Sequence, residues 1–447
     1  MNRLKVGFIS LGGSNFDTEC AKLILAESIR KIKTIDNVEI IPIEKLVTNL
    51  EEVNEAIVKF KSVNVDVLVV QNGTFAWGGL IVNIAQEFNV PILLWAVPEP
   101  SFEGGKPKLN SLCGVNLNSS ILTKMGREIK FIYAESTEEE FLKSMSRFLR
   151  VVETINLLKK TRVGLVGYRV PGFYNVVFDE LALRKVFGIE IHHIDIAEVF
   201  ARAEKVSNKE INLTIKEIIE NYDDITGIPK VKLEKFAKLY LIFREIIEEY
   251  ALNGLAVKCW PEFISLYGLA ACSTLSKLTN GGFPTSCEAD VEGAATMLIQ
   301  KYLTGKPPFF ADLISIDKAE NTALLWHCGS APFSLAADDA KIILSEGIAR
   351  GTGLNSRFPL KEGAVTIARL GNIRNKYRMF ITQGKAIKTE TNLDGNSQEV
   401  KLESKVEDVL NTIIYGGFEH HFSVIYQDIQ EELIELCKLL KIEVVIV

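Results

Sequence analysis

Five histidines occur in the 447 residues, His192, His193, His327, His420 and His421. They are few enough to place one by one. Imidazole is both a proton carrier near neutral pH and a common metal ligand. His192 and His193 end a predicted strand and read as ordinary strand-end residues. His327 lies in Leu324-Leu-Trp-His-Cys-Gly-Ser330, and the adjacent pair lies in Tyr415-Gly-Gly-Phe-Glu-His-His-Phe-Ser423. Neighbouring strand residues face opposite ways, so His421 shares a face with Ser423 and Ile425, and His420 with Phe422, Val424 and Tyr426. Only one of the pair is then expected at a given site. Taken alone, the histidines leave two readings open, metal ligands or packing residues.

Carboxylates are plentiful, so position must choose among them. Glu288 follows Thr285-Ser-Cys, and Thr-x-x-Glu is the capping-box pattern, a complete structural explanation. The other reading notes Gly281 and Gly282 turning the chain before a helix entry that holds Glu288, Asp290 and Glu292, more acid than a helix dipole needs. Asp312 is flanked by apolar residues in Pro308-Phe-Phe-Ala-Asp-Leu-Ile-Ser-Ile316. Buried there, its charge requires a partner or a metal. Residues 317–321 read as a turn, which makes Asp312 and His327 members of one hairpin. A four-residue loop, 318–321, sets them opposite each other on one face, whereas an odd loop sets them on opposite faces.

The elements that must position these groups follow from length and pattern. A chain of 447 residues implies two to four folded units at about 100 to 200 residues each. Residues 1–160 alternate β-branched runs with amphipathic stretches, which predicts a parallel sheet with helical crossovers and ligands beyond the strands' carboxyl ends. Expected strands are 5–10, 38–43, 65–71, 91–96 and 129–134, with helices at 18–31 and 80–88. The pattern restarts at residue 161, with strands at 163–167, 188–192 and 254–259 and helices at 208–221, 232–250, 263–277 and 290–302. From residue 307 the texture becomes mostly antiparallel β, with strands at 364–369, 377–383 and 422–426, a polar turn at 392–397, a helix at 429–440 and a strand at 442–447. Three domains result: 1–160 and 161–306, two doubly wound α/β units, and 307–447, mostly β.

Exclusions narrow the function. The net charge of −6, from 51 basic and 57 acidic residues, gives no footprint for binding nucleic acid. Seven cysteines without CxxC spacing suggest neither a disulfide framework nor a thiolate zinc site, and fit a cytoplasmic protein. No apolar run reaches the roughly 18 residues a membrane span requires, and the first residues meet glycines too early for a secretory signal. Phosphate-loop, dinucleotide, GxSxG and HExxH motifs are absent from the sequence.

Together, Glu288, Asp312 twenty-four residues later, the His327-Cys-Gly motif and the late Gly-Gly-x-x-His-His resemble the L-fucose/L-arabinose isomerase family. Lys258-Cys-Trp-Pro-Glu-Phe263, Ser286-Cys-Glu-Ala-Asp-Val-Glu-Gly293 and Glu362-Gly-Ala-Val-Thr-Ile-Ala-Arg369 support the likeness. The chain is shorter than typical members. Its second carboxylate is Asp, as in the fucose branch, and its His327 resembles the additional ligand of the arabinose branch. The resemblance implies a metal-dependent, Mn²⁺-using aldose–ketose isomerase acting on a free pentose, 6-deoxyhexose or modified hexose, in a homo-oligomer, a trimer or more usually a hexamer, that completes the site between subunits. It assigns Glu288 and Asp312 as catalytic carboxylates and ligands, with His421 and His327 as further ligands.

Chemistry agrees with this set. Isomerisation removes a proton beside a carbonyl while charge builds on oxygen. Two carboxylates with one or two imidazoles suit Mn²⁺ or a similar divalent cation better than structural zinc. Trp260, Phe75 and Trp77 are candidates for stacking on the sugar's C–H faces, although Trp77 is equally explained by packing beneath its loop. Lys258 and Glu262 are candidates for binding hydroxyls, and His420 for touching substrate. Two competing classes remain, a cytoplasmic sugar-binding or regulatory protein without catalysis, and a metal-dependent lyase or epimerase using the same enediolate.

Overall fold

The computed structural model describes residues 3–347, 353–389 and 393–447. The chain divides into two compact units, Met1–Glu153 and Thr154–Val447.

In the first unit, five strands, β1 (Leu4–Leu11), β2 (Val38–Val47), β3 (Val67–Asn72), β4 (Ile92–Ala96) and β5 (Ile129–Tyr133), form a parallel sheet in the order β2-β1-β3-β4-β5. β3 and β4 are buried along their whole length, as expected where helices cover both faces. The connecting helices are α1 (Thr18–Ile32), α2 (Leu50–Val63), α3 (Gly78–Glu87) and α4 (Ser111–Lys124), and α5 (Glu139–Leu158) follows β5. Asp17 and Asn49 cap α1 and α2 through their side-chain oxygens.

The second unit joins two sheets. β6 (Arg162–Val166), β7 (Glu190–Ile194), β8 (Gly254–Val257) and β9 (Thr285–Ser286) are parallel in the order β7-β6-β8-β9. Because the chain passes from β6 to β7 on one side and later to β8 on the other, the crevice beyond the carboxyl ends of β6 and β8 is the topological switch point. Its helices are α6 (Glu180–Phe187), α7 (Ile196–Lys205), α8 (Asn208–Ile219), α9 (Lys230–Glu249), α10 (Cys272–Asn280) and α11 (Val291–Thr304). The single helix predicted over 263–277 is broken. A short π turn, Phe263–Tyr267, ends at Gly268, whose φ of 76° is left-handed, and α10 begins afterwards.

The rest of this unit contains β10 (Phe309–Asp317), β11 (Thr322–His327), the hairpin β12 (Ile343–Gly347) and β13 (Gly353–Arg357), then β14 (Gly363–Ile373), β15 (Lys376–Ile387), β16 (Asn396–Leu402), β17 (His421–Ile425) and β18 (Glu443–Ile446). β14-β17-β10-β11-β16-β15 form an antiparallel ring closed by the β14–β15 pairing, and β18 joins β15 in parallel. Closure removes the edges of these six strands. α12 (Val406–Gly416) and α13 (Gln430–Leu440) complete it. The polar turn expected at 392–397 ends early, since Asn396 and Ser397 already belong to β16, and Asn392 lies outside the described residues. α11 packs on both the parallel sheet and the barrel. Its first turn touches β10 so closely that a Cβ on Gly293 would stand 2.5 Å from the Phe310 ring. Among the described residues, no helix is long and apolar enough to cross a membrane.

Candidate metal centre

Three separate stretches of the second unit bring ligand atoms together. His421 opens β17 and pairs with Asp312 of the neighbouring strand β10, so both side chains leave the same face. His421 Nε2 lies 3.6 Å from Asp312 Oδ1 and 3.6 Å from Glu288 Oε2. Asp312 Oδ1 is buried and has no hydrogen-bond partner. An unpartnered carboxylate oxygen facing an imidazole nitrogen and a second carboxylate is the arrangement a bound cation would complete.

Glu288 arrives from the loop after β9, and its backbone differs from the capping-box reading. The N-cap of α11 is Asp290, whose side chain accepts from Gly293 N at 2.8 Å. Glu288 and Ala289 precede it with left-handed φ values of 59° each. Two such non-glycine residues in succession cost on the order of 1 kcal/mol each. The surroundings hold the side chain firmly. Trp260 Nε1–H donates to Oε1 at 3.0 Å and His420 Nε2 contacts Oε2 at 3.1 Å. Burial works to raise the Glu288 carboxyl, but His420, His421 and Trp260 outweigh it and lower it below its ordinary value.

Both adjacent histidines therefore meet Glu288, contrary to the expectation that only one could reach a site. Strand alternation begins at His421, and His420 sits in the bend just before it, so the two-residue rule does not bind the pair. Their roles differ. Asn175 Nδ2 donates to His420 Nδ1 at 2.8 Å, which leaves the His420 proton on Nε2, facing Glu288. His421 Nδ1–H donates to Asp290 Oδ2 at 3.0 Å, which leaves the Nε2 lone pair free. A carboxylate that orients a histidine in this way raises its basicity as a ligand. Burial lowers the His421 pKa and keeps the ring neutral.

In the sequence Asp290 is only one of three crowded acids, with Glu288 and Glu292. Arg369 of β14, fully buried, meets it through Nη2 at 3.0 Å and Nη1 at 2.5 Å, and meets Glu419 through Nε at 3.2 Å. Burial opposes the Asp290 charge, yet Arg369 and His421 override it and hold the carboxyl well below the usual range. The signal for this network was faint: one arginine ending an otherwise apolar strand.

His327 follows a different register from either hairpin alternative. The loop does have four residues, since Asp317 pairs with Thr322, but a bulge at Ile314 shifts the ladder so that Asp312 opposes Trp326. His327 still approaches, its ring centroid 5.9 Å from that of His421. Its Nδ1 accepts from the Cys328 backbone N–H at 2.9 Å and lies 3.1 Å from Ser330 Oγ, so the ring carries its proton on Nε2. With Trp260, Glu288, Asp312 and Trp326, His327 lines a cavity of about 310 Å³, within the range of small-molecule sites.

The remaining candidates are placed as follows. Lys258 Nζ is bound to Glu262 Oε1 at 2.6 Å, so the pair satisfies itself, apart from a buried Glu262 Oε2 without a partner. Phe75 and Trp77 belong to the first unit, where Phe75 packs on Phe16 and Trp77 is 67% exposed. His192 packs against the Tyr250 ring, and His193 pairs with Glu180 at 3.1 Å. All seven cysteines are free, although Cys272 Sγ and Cys328 Sγ stand 3.2 Å apart in the cavity wall.

Comparison with known proteins gives this arrangement its context. Residues 7–159 match the family "Fucose/sulfoquinovose isomerase, N-terminal domain", and residues 325–447 match "L-fucose isomerase, C-terminal domain". Sulfoquinovose isomerase of Priestia aryabhattai is 32% identical over 446 residues, covering 99% of both chains. The sulfoquinovose isomerase of Alkalicoccus urumqiensis is 32% identical over 85% of this chain and 86% of its own, and that of Clostridium sp. (strain MSTE9) is 28% identical over 99% of each. The chain is thus a divergent member of the fucose isomerase family of sugar isomerases.

Proposed function

We propose that this protein is a metal-dependent aldose–ketose isomerase whose substrate is a sulfonated free hexose, sulfoquinovose, the sugar for which its relatives are named. The observation that carries the metal dependence is the orphaned Asp312 Oδ1 beside His421 Nε2 and Glu288. Two carboxylates and a neutral imidazole fit Mn²⁺ or a similar divalent cation. Such an ion, when bound, stabilises negative charge on the substrate oxygens as a Lewis acid.

The chain's own residues supply the remainder. Glu288, kept ionised by its two N–H donors, removes the C2 proton of the open-chain aldose. A proton is returned to C1 while the hydroxyl proton moves from O2 to O1, giving the ketose through a cis-enediol. Asp312 serves as the second carboxylate of this shuttle. His421, fixed by Asp290, keeps its lone pair directed at the centre, and His327 offers an Nε2–H to the sugar. A homo-oligomer belongs to the same reading and is checked by sedimentation.

The test is incubation of metal-stripped protein, with and without Mn²⁺, with sulfoquinovose and unsubstituted aldoses in deuterated water. Ketose carrying solvent label at C1, formed only with metal, is expected. Absence of any ketose in the metal-loaded protein rejects the reading.

A further inference from the structure

A sulfonated sugar brings a permanent negative charge several bonds away from the carbonyl, yet the residues around the metal centre are mostly acids. The cations nearby are already engaged: Lys258 by Glu262, and Arg369 by Asp290 and Glu419. Arg169 is different. It lies on loop 167–176, which leaves the carboxyl end of β6 at the switch point where ligands of such sheets bind. Its Nε is buried without a hydrogen-bond partner, and no carboxylate among the described residues pairs with it. The guanidinium carbon sits 4.7 Å from the Tyr174 ring centroid and 5.7 Å from that of Tyr168, so aromatic faces hold the plane while its N–H edge stays uncommitted.

The same loop touches the metal centre. Phe173 packs edge-on against Trp260 with centroids 5.6 Å apart, and against His420 at 5.6 Å, and Asn175 donates to His420 Nδ1. Tyr174, on which Arg169 rests, lies between these two contacts in the chain. We infer that Arg169 anchors the terminal sulfonate of the sugar and is the residue that selects an anionic substrate over its neutral parent. The chemistry fits, because a planar fork of N–H donors matches the oxygens of a tetrahedral oxyanion better than a point charge does. This inference takes its substrate from the isomerase reading, but the two fail separately.

Calorimetric binding of sulfoquinovose and of glucose to the Mn²⁺-loaded protein, for wild type, Arg169→Gln and Arg169→Lys, tests it alongside ketose formation. Charge-assisted hydrogen bonds of this kind predict that Arg169→Gln reduces the preference for the sulfonated sugar by about 10- to 100-fold, with Arg169→Lys intermediate. Wild-type protein without preference for the sulfonated sugar, or a variant that loses both sugars equally, overturns the assignment. Arg169-dependent binding without ketose leaves the anchor standing and removes the isomerase reading instead.

Discussion

Asp312 and His421 reach the centre from paired strands of the barrel, whereas Glu288 and Trp260 reach it from loops at the carboxyl ends of the parallel strands β9 and β8. Register fixes the backbone of the first pair, since an antiparallel ladder holds opposite residues on one face, and Asp290 orients the His421 ring. The second pair depends on a left-handed backbone at Glu288 and Ala289 and on side-chain contacts that hold it. α11 ties the two regions together, because its capping residue Asp290 is also the partner of His421 and of Arg369 in the barrel. The lesson is that the barrel stores ligand geometry in its ladder, and the loops store it in strain and hydrogen bonds.

Substitutions on each side can break this contrast. Glu288→Gln removes the loop-borne base and should lower kcat by about 1,000-fold, with the circular dichroism spectrum unchanged; turnover near wild type would remove Glu288 from the chemistry. Asp290→Asn strikes the tie. It should weaken Mn²⁺ binding by about 10- to 100-fold and, by leaving Arg369 partly unpaired, lower the unfolding free energy by roughly 3 kcal/mol. Titration calorimetry and urea unfolding check the two effects.

Glu292, in the first turn of α11, sharpens the comparison through pH. Burial pushes its carboxyl up to about 8, against roughly 4.3 in an unfolded chain. Between those values the native state keeps a proton that the unfolded state has released, so stability is full at low pH and falls as pH rises, by at most about 1.4 kcal/mol per pH unit. Glu292→Gln should flatten that fall in urea unfolding between pH 5 and 9; an unchanged slope contradicts the assignment. The smallest effect is expected from Ala289→Gly, which relieves a left-handed φ and should stabilise by less than about 1 kcal/mol, with turnover retained.

The parallel sheet of the first unit was legible because the apolar runs of β3 and β4 stand out between helical stretches, and strand limits deviate there by at most two residues except in β2, which runs on to Val47. Asp312 was legible as a charge that its apolar flanks cannot leave unpartnered, whereas Glu288 and His421 each had a structural reading and were singled out as ligands by the family resemblance. The break at Gly268 was harder, since helical periodicity continues on both sides of it. The bulge at Ile314 lies two residues beyond Asp312, where pairing with β17 ends and pairing with β11 continues, and local spacing does not encode it. Arg369 was hidden because a single buried cation looks like any strand-end residue until its partners, Asp290 and Glu419, arrive from distant segments. Likewise, the pairing of Lys258 with Glu262 spans a non-helical stretch, 258–261, whose sequence was equally compatible with two free sugar-binding groups.

The convergence of a strand-borne pair and a loop-borne carboxylate on one cation is most directly tested by Mn²⁺ anomalous scattering from crystals of the wild-type protein. The account predicts one strong peak within coordination distance of Glu288, Asp312 and His421 Nε2. A peak held by other residues, or none at saturating Mn²⁺, would contradict it.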